Sequence, residues 1–330
     1  MVEAVDPTPS RAEFFRFLLT PLWLRPESAL WYSHMLYEAK RLLGRRLIQP
    51  SLDLGCMDGV NSFVLLGGRF GHGFDVYREV RWDRDAHRRS TLADDYFDVV
   101  ADDPGEIDIH VRPTDYFEFG LDWKASHIDK ARRLGVHRRL IQCDPASPFG
   151  QIESASIATV WAPNIYWLDD VSRVASELRR ILVKTGRIVT IVPDRIQLNH
   201  MLYRFAEQSS QFAWLKDLDR GRFENVSRQA RDLSEWVALF DRAGLTVASH
   251  DGFIPSLVGE VYDVGLRPMF PVFMNMYETL RTHAPESLLE LKREWLETVY
   301  RLAVPLCDVD WMPPLQMERL WHVFELTAHR

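Results

Sequence analysis

The sequence is poor in cysteine and has no long apolar run. Its three cysteines among 330 residues, Cys56, Cys143 and Cys307, lie far apart and form no Cys-x-x-Cys pair. This spacing argues against a disulfide framework and a zinc site, and it fits a reducing compartment. No run of about 18 apolar residues occurs, and the first residues lack the basic and apolar regions of a signal peptide. We therefore expect a soluble, cytoplasmic protein that does not bind membranes.

The net charge is negative, but it is concentrated in one segment. The formal charge is −7, and the segment 90–111 alone contains seven Asp or Glu residues with no Lys or Arg. The clustered Lys/Arg surface of nucleic-acid-binding proteins is missing, so we expect small-molecule chemistry. The acidic segment also lacks the ligand spacing, glycine and closing glutamate of a calcium loop. It predicts a solvated loop and no bound metal.

Short apolar strands alternate with helical patterns through the middle of the chain. Such alternation predicts a parallel sheet with helices on both faces, in which ligands lie beyond the carboxyl ends of the strands. We therefore predict an α/β fold with a Rossmann-like, doubly wound, mostly parallel sheet. The predicted strands are 47–54, 116–121, 139–143, 157–161, 187–192 and 245–249, and the helices among them are 60–66, 128–134, 168–182 and 233–243.

Additional segments enlarge this core. Residues 1–46 carry apolar and aromatic side chains at helical spacing and predict an N-terminal helical cap. The central domain is predicted to span 47–254, with insertions at about 67–115 and 194–232; such insertions form lids, substrate walls or plain surface additions. After Pro255 the pattern is mostly helical through Trp321, so 255–330 is predicted to be a mostly helical C-terminal extension.

The segment 51–59, Ser-Leu-Asp-Leu-Gly-Cys-Met-Asp-Gly, joins an apolar strand to a glycine turn. A turn that cradles a pyrophosphate presents bare backbone N–H groups, and the carboxylates of Asp53 and Asp58 would repel that ligand. A dinucleotide fingerprint anchored at Gly55 would also need glycine at the positions of Met57 and Val60. The charges favour a cationic ligand such as S-adenosylmethionine, with its sulfonium and ammonium groups. A strand, turn and helix without a ligand is the alternative.

The same segment resembles the first motif of class I S-adenosylmethionine-dependent methyltransferases, acidic-x-Gly-x-Gly-x-Gly, with Met57 in place of the middle glycine. The run Lys184-Thr-Gly-Arg187 is similar to the family's K-P-G-G-R turn. The resemblance covers 51–192 and part of 233–249. It implies that S-adenosyl-L-methionine is the cofactor and S-adenosyl-L-homocysteine the product. The implied cofactor-binding residues are Asp53, Gly55, Cys56, Met57, Asp58, Gly59, Asp122, Trp123, Asp144, Pro145 and Asn164.

The resemblance also implies roles for the residues that follow the strands. Asp122 would accept hydrogen bonds from the ribose hydroxyls, with Trp123 against the adenine ring. Asp144 would recognise the adenine amino group, and Asn164 would reach the methionine end. Two alternatives remain: Asp122 caps the next helix, and Asp144-Pro145 is a turn without a ligand.

Methyl transfer is an in-line displacement that needs a base only when the acceptor is protonated. The candidate bases are Tyr166, His127 and His200. Aromatic residues could form a wall around the methyl group, and Arg267 could bind a substrate carboxylate or phosphate. Core packing of the aromatic residues, and pairing of Arg267 with a nearby acid, are the alternatives. The candidate substrate-binding residues are Trp31, Tyr32, Trp167, Tyr203 and Arg267.

The sequence therefore predicts a methyltransferase that acts on an oxygen, nitrogen or carbon atom of a small molecule in specialised metabolism. We expect no nucleic-acid partner, and a homodimer is an open option. The alternative is a non-methylating enzyme, scaffold or regulatory protein that uses the same cofactor pocket. A nucleotide-dependent oxidoreductase is a third, weaker hypothesis.

Overall fold

A twisted sheet of seven strands forms the centre of the protein. The computed structural model describes residues 8–83, 96–101, 105–143, 149–208, 210–211, 216–311 and 317–329. The strand order is β5-β4-β1-β6-β7-β9-β8, in which neighbours from β5 to β7 are parallel and β9 is antiparallel to both of its neighbours. The strands are β1 Ser51–Leu54, β4 Phe117–Asp122, β5 His137–Gln142, β6 Ile157–Ala162, β7 Leu182–Pro193, β8 Leu245–Pro255 and β9 Arg319–Ala328.

Helices cover both faces of this sheet, as the predicted fold class requires. Successive side chains of a strand point to opposite faces. Trp161 of β6 accordingly packs in the core beneath the N-terminal helices, whereas its neighbour Val160 packs in the core on the other face. The first core is covered by α1 Arg11–Leu19, α2 Pro26–Leu43 and α3 Val60–Leu65, and the second by α5 Val171–Ile181 and α8 Leu233–Arg242.

Local capping explains where several of these helices begin. Ser10 and Glu13 form a capping box at α1, in which the Glu13 N–H donates to Ser10 Oγ at 3.2 Å and the Ser10 N–H donates to Glu13 Oε2 at 2.8 Å. Pro26 occupies the first turn of α2, where its missing N–H removes no hydrogen bond. Asp170 Oδ1 accepts from the Arg173 N–H at 3.0 Å, so α5 begins after Asp170 rather than at Leu168.

The inserted segments add small elements around the ligand side of the sheet. Residues of the first insertion form an antiparallel ribbon and a 3₁₀ turn at Val76–Glu79, and the second insertion is helical in its described part. No helix among the described residues has the length and apolar character needed to cross a membrane. The remaining elements are β2 Arg69–Phe70, β3 Ile109–Val111, α4 Ala125–Leu134, α6 Leu202–Glu207, α7 Lys216–Gln229, α9 Ser256–Glu260, α10 Phe270–His283 and α11 Leu288–Ala303.

Strand β9 was not predicted, because the helical pattern was expected to continue through Trp321. It pairs with β7 from Arg187 opposite Thr327 to Pro193 opposite Trp321, and with β8 on its other edge. Its side chains are buried on both faces: Val323 contributes to one core and Phe324 to the other. The sheet therefore contains residues of both the predicted central domain and the predicted C-terminal extension.

Lys292 of α11 is a buried amine that should make stability depend on pH. Its Nζ donates to the Phe74 carbonyl, only 3% of the residue is exposed, and burial lowers its pKa to about 8. Between about pH 8 and 10.4 the unfolded chain therefore binds more protons than the folded one, so stability rises with pH, by roughly 1.4 kcal/mol per unit. Relative to Lys292→Met, the wild-type free energy of unfolding should gain about 1.6 kcal/mol between pH 8 and 9.5.

Urea titrations at both pH values would measure this difference. Lys184→Met, at an exposed position of β7, is the matched control and should leave the wild-type pH dependence unchanged. Parallel pH profiles for wild type and Lys292→Met would contradict the prediction.

Candidate functional site

A large cavity lies where the order of the strands reverses. The chain runs from β1 outward to β4 and β5 on one side, and from β6 to β7 on the other, so the carboxyl end of β1 borders a crevice. The cavity measures about 1100 Å³. Its walls include the loop after β1, the residues after β4 and β6, and parts of α2 and α7.

The glycines of the loop after β1 have backbone conformations that favour glycine. Gly55 has φ = 75° and Gly59 has φ = 81°. A Cβ atom on Gly55 would lie 3.2 Å from Asn164 Cβ, and one on Gly59 would lie 3.1 Å from Ala131 Cα. The N–H groups of Gly55 and Cys56 donate to the Leu121 carbonyl at 2.8 and 3.0 Å. The two glycines thus let the loop pack closely against β4, α4 and the end of β6.

Met57 adopts the left-handed conformation in the same loop, with φ = 51°. Its N–H donates to Asp122 Oδ2 at 3.0 Å, and the residue lines the cavity. A non-glycine residue in this region costs roughly 1–2 kcal/mol. The resemblance places a glycine here, and the backbone still has the conformation that glycine adopts most easily.

Comparing two substitutions at Met57 isolates this backbone strain. Met57→Gly and Met57→Ala both remove the long side chain, but alanine keeps the strain. We expect Met57→Gly to be more stable than Met57→Ala by about 1 kcal/mol in urea denaturation. If alanine proves equally or more stable, the loop is not strained at this position.

Asp122 connects the loop to α4. Its Oδ2 accepts from the Met57 N–H, and its Oδ1 accepts from the Lys124 N–H and lies 3.0 Å from His127 Nδ1. The residue is 7% exposed and lines the cavity. An ionised carboxylate accepts about four hydrogen bonds, so capacity remains for a ligand hydroxyl. Lys124 is the N-cap of α4, without a side-chain cap, so Asp122 does not cap the helix as the alternative supposed; it binds the Lys124 N–H and faces the cavity.

His127 lies between two carboxylates. Its Nε2 is 3.6 Å from Asp98 Oδ1, on the side of the ring opposite the Asp122 contact. The same Asp98 carboxylate accepts from Lys124 Nζ at 2.6 Å. His127 lines the cavity, and both of its ring nitrogens face acids of the protein, which hold the imidazole at α4.

The residues after β6 complete the loop side of the cavity. Asn164 Nδ2 donates to the Gly55 carbonyl at 3.1 Å, which ties the end of β6 to the end of β1. The structure brings twelve of the predicted site residues to the cavity wall. They are Trp31, Tyr32, Gly55, Met57, Asp58, Asp122, Trp123, His127, Asn164, Tyr166, Trp167 and Arg267.

Three predicted cofactor residues lie behind the loop instead of lining the cavity. Asp53 is fully buried, and its Oδ2 accepts from the Ser62 hydroxyl and lies 2.8 Å from His137 Nε2. Cys56 is buried, and burial together with Asp53 raises the pKa of its thiol. Gly59 packs on α4, as described above. These residues shape the loop, and their direct contact with a ligand stays a prediction.

Two further predicted residues lie outside the cavity wall. His200 does not line the cavity, and its Nδ1 and Nε2 lie 2.8 and 3.1 Å from carboxylate oxygens of Glu260 and Glu318. Tyr203 also lies outside the cavity wall, because its ring stacks on Phe223 with centroids 4.2 Å apart. Asp144 and Pro145 fall outside the described residues.

Aromatic side chains form one wall of the cavity beside the loop. The Trp321 ring lies 5.0 Å from the Trp31 ring and 4.9 Å from the Tyr166 ring. Trp321 Nε1 donates to Gln197 Oε1 at 3.0 Å. Burial raises the pKa of Tyr32 to about 12 and, with Tyr32 nearby, raises the pKa of Tyr166 well above its ordinary value. Both phenols are therefore protonated at neutral pH.

Several polar residues of the cavity were missed in the sequence. The side-chain oxygens of Asn61 and Asn225 are buried without a hydrogen-bond partner in the described part of the chain, and both residues line the cavity. Buried polar atoms of this kind point to a bound ligand or water. Arg25 also lines the cavity. The position of Asn61, two residues after Gly59, was the available sequence signal, whereas nothing local marked Asn225 or Arg25.

Arg267 lines the cavity, where it could meet a substrate anion, and it also contacts an acid of the protein. Its Nε lies 4.0 Å from Asp263 Oδ1, and its Nη1 donates to the Tyr262 hydroxyl at 3.5 Å. Asp263 is fully buried and also accepts from Arg222 Nη2. Asp263 thus holds Arg222 and Arg267 in place beside Tyr262 at the cavity wall.

No protein-family model and no curated protein sequence matches the chain. Solved structures similar to it include a geranyl diphosphate C-methyltransferase from Streptomyces coelicolor A3(2), at 14% identity and a TM-score of 0.41, covering 94% of this chain and 84% of that chain. The [4+2]-cyclase SpnF matches at 11% identity and 0.44, covering 98% of each chain. A SAM-dependent methyltransferase from Geobacter sulfurreducens, in complex with S-adenosyl-L-homocysteine, matches at 16% and 0.38, covering 84% of each chain. At such low identities and TM-scores, the activities and ligands of these proteins are not transferred to this chain.

Proposed function

We propose that the protein is an S-adenosyl-L-methionine-dependent methyltransferase that acts on a small molecule. One observation carries the proposal: the ends of three adjacent parallel strands bring Asp58, Asp122 and Asn164 to the wall of a single cavity. Carboxylates at a glycine turn favour a cationic nucleoside ligand over a pyrophosphate. The sequence motif and the position of the cavity thus support the same cofactor.

The residues present fit this cofactor. Asp122 has hydrogen-bonding capacity for the ribose hydroxyls, and Trp123 beside it offers a ring for the adenine. At the other end of the loop, the buried oxygen of Asn61 and the carboxylate of Asp58 are acceptors for an ammonium group. Each partner is suited in charge and hydrogen-bonding type to the part of the cofactor assigned to it.

When bound, S-adenosyl-L-methionine supplies an activated methyl group on its sulfonium. The protein must then align an acceptor and exclude water. The rings of Trp31, Tyr166 and Trp321 provide an apolar wall beside the loop that suits both tasks. The helices α2, α7 and α10 contribute to the walls of the cavity. This arrangement favours a small acceptor in a pocket over a polymer in an open groove. We also propose that the methyl group is transferred to an oxygen, nitrogen or carbon atom of the acceptor. The protein would act in specialised metabolism in the cytoplasm.

The division of the chain into a cap at 1–46, a cofactor domain at 47–254 and an extension at 255–330 also remains a proposal. Within it, α2 and α10 contribute walls of the pocket from the two outer regions. The acceptor would therefore contact all three regions.

Calorimetric titration tests the cofactor directly. We expect the protein to bind S-adenosyl-L-methionine and S-adenosyl-L-homocysteine with one site each, and not to bind NAD or NADP. Binding of neither sulfur-containing ligand would remove the methyltransferase proposal. Binding of a dinucleotide instead would support the oxidoreductase hypothesis.

A second candidate is an enzyme that binds the cofactor without transferring its methyl group. The left-handed Met57 favours it, because this side chain stands at the cavity where the related motif has a glycine. This candidate predicts tight binding of both ligands without methyl transfer to any acceptor. Transfer of radiolabelled methyl to an acceptor from a small-molecule panel would decide against it.

A further inference from the structure

Arg25 is a guanidinium built into the cavity wall at the start of α2. Its Nε donates to Glu27 Oε1 at 2.9 Å. Glu27 is 1% exposed, and its Oε1 also accepts from the Ser28 hydroxyl at 3.2 Å. A buried carboxylate therefore holds one edge of the guanidinium in a fixed orientation.

Aromatic rings hold the plane of the same guanidinium. Arg25 Cζ lies 5.2 Å from the centre of the Phe270 ring and 5.9 Å from that of Phe97. Both rings line the cavity, together with Tyr96. Because one side of a ligand here would meet these rings, the surroundings suit a flat, largely apolar molecule.

The terminal amino groups of Arg25 are available to such a ligand. Among the described residues, the hydrogen bond of Arg25 runs from Nε to Glu27, which leaves the fork of two terminal nitrogens at the cavity wall. A planar, pre-oriented fork matches the two oxygens of an anionic group. An arginine fixed by a buried acid and by rings loses little side-chain freedom when it binds, which favours a ligand-binding role.

Tyr32 relates this position to the glycine loop. The phenol of Tyr32 interacts electrostatically with Arg25 and with Asp58 of the loop, and Tyr32 and Arg25 line the same cavity. Arg25 thus adjoins the loop through Tyr32, while its own nearest rings belong to the first insertion and to α10. These elements form the cover of the cavity rather than the proposed cofactor wall.

We propose that the methyl acceptor is a flat, largely apolar molecule with an anionic oxygen group, and that Arg25 binds this group. That this molecule accepts a methyl group rests on the proposed function. The binding of a flat organic anion at Arg25 does not.

Two fluorescent probes with nearly the same rings test the inference. 1-Anilinonaphthalene-8-sulfonate carries an anionic group, and N-phenyl-1-naphthylamine is neutral. In Arg25→Gln we expect the affinity for the sulfonate to fall by about tenfold or more, and the affinity for the neutral probe to change by less than about twofold. Arg25→Lys keeps the charge without the fork and should give an intermediate loss. It also keeps the test open if the glutamine variant does not fold.

Arg228→Gln is the matched control. Arg228 also lines the cavity, but its side chain is 61% exposed and lies 3.8 Å from Asp169, so both probes should bind this variant as they bind wild type. The inference is overturned if wild type does not bind the sulfonate, if both probes weaken equally in Arg25→Gln, or if Arg228→Gln has the same effect.

Titration with S-adenosyl-L-homocysteine distinguishes a failure of this inference from a failure of the proposed function. Its carboxylate is a second possible source of the anionic group, so its affinity is measured in Arg25→Gln. An unchanged affinity supports an acceptor group at Arg25, and a loss of about tenfold would assign Arg25 to the cofactor and overturn the inference. Failure of wild type to bind this ligand, with probe selectivity intact, would remove the proposed function and leave Arg25 as an anion site.

Discussion

Replacing Asp122 with alanine should weaken the binding of S-adenosyl-L-homocysteine by about 100-fold, or roughly 2.7 kcal/mol. The substitution removes the acceptor proposed for the ribose. It also removes the partner of the Met57 N–H, the Lys124 N–H and His127 Nδ1. The loop and the start of α4 would lose their common anchor at the cavity. Calorimetric titration of the folded variant measures the effect.

Asp98→Ala is the control for Asp122→Ala. Asp98 contacts Lys124 Nζ, and like Asp122 it contacts His127, but it does not line the cavity. Its removal should reduce affinity by less than about fivefold. Equal losses in the two variants would place the ribose site elsewhere.

Gly120→Val should lower the free energy of unfolding by about 3 kcal/mol or more. A Cβ atom at Gly120 would lie 2.6 Å from His137 Cδ2 and 2.9 Å from Leu140 Cδ2. The imidazole crosses β4 at this glycine to reach the buried carboxylate of Asp53. Valine would displace the ring, so the cost includes a steric clash and the loss of one of the two partners of the buried Asp53 carboxylate, which keeps Ser62.

A double-mutant cycle tests this explanation. In a His137→Ala background, Gly120→Val should cost much less than in wild type, because the ring that it meets is gone. Urea denaturation of the four proteins gives the coupling energy. Gly221→Val is the control, since a Cβ atom at Gly221 has no neighbour within 4 Å. Additive effects of the two substitutions would show that the clash with His137 is not the cause.

The elements that the sequence predicted are those with local signals. The strands β1, β4, β5 and β6 are short segments that contain apolar residues and are bounded by turns, and the fold class was confirmed. Since parallel strands end at the same edge of the sheet, Asp122 and Asn164 could be assigned to the site from their positions after strands. These two residues, with the loop glycines, form the framework of the cavity.

The remaining features depend on contacts between residues far apart in the sequence. His200 had the sequence context of a candidate base, but Glu260 and Glu318 hold its ring outside the cavity wall. Trp321 became part of the wall only because β9 pairs with β7 and β8. Arg25 acquires its orientation from Glu27 and from the distant ring of Phe270. The periodicity or residue spacing within one segment does not predict such long-range contacts.

The position of β9 has a consequence for the order in which the protein folds during synthesis. The edge of β7 that β9 covers remains open until residues 319–328 have left the ribosome, and β9 is the strand that pairs with β8 in the described part of the sheet. An open edge invites pairing with other chains. The nascent protein therefore carries an unpaired strand edge from the completion of β7 at Pro193 until β9 emerges, and the pairing of β9 completes the sheet and the Trp321 wall in the same step.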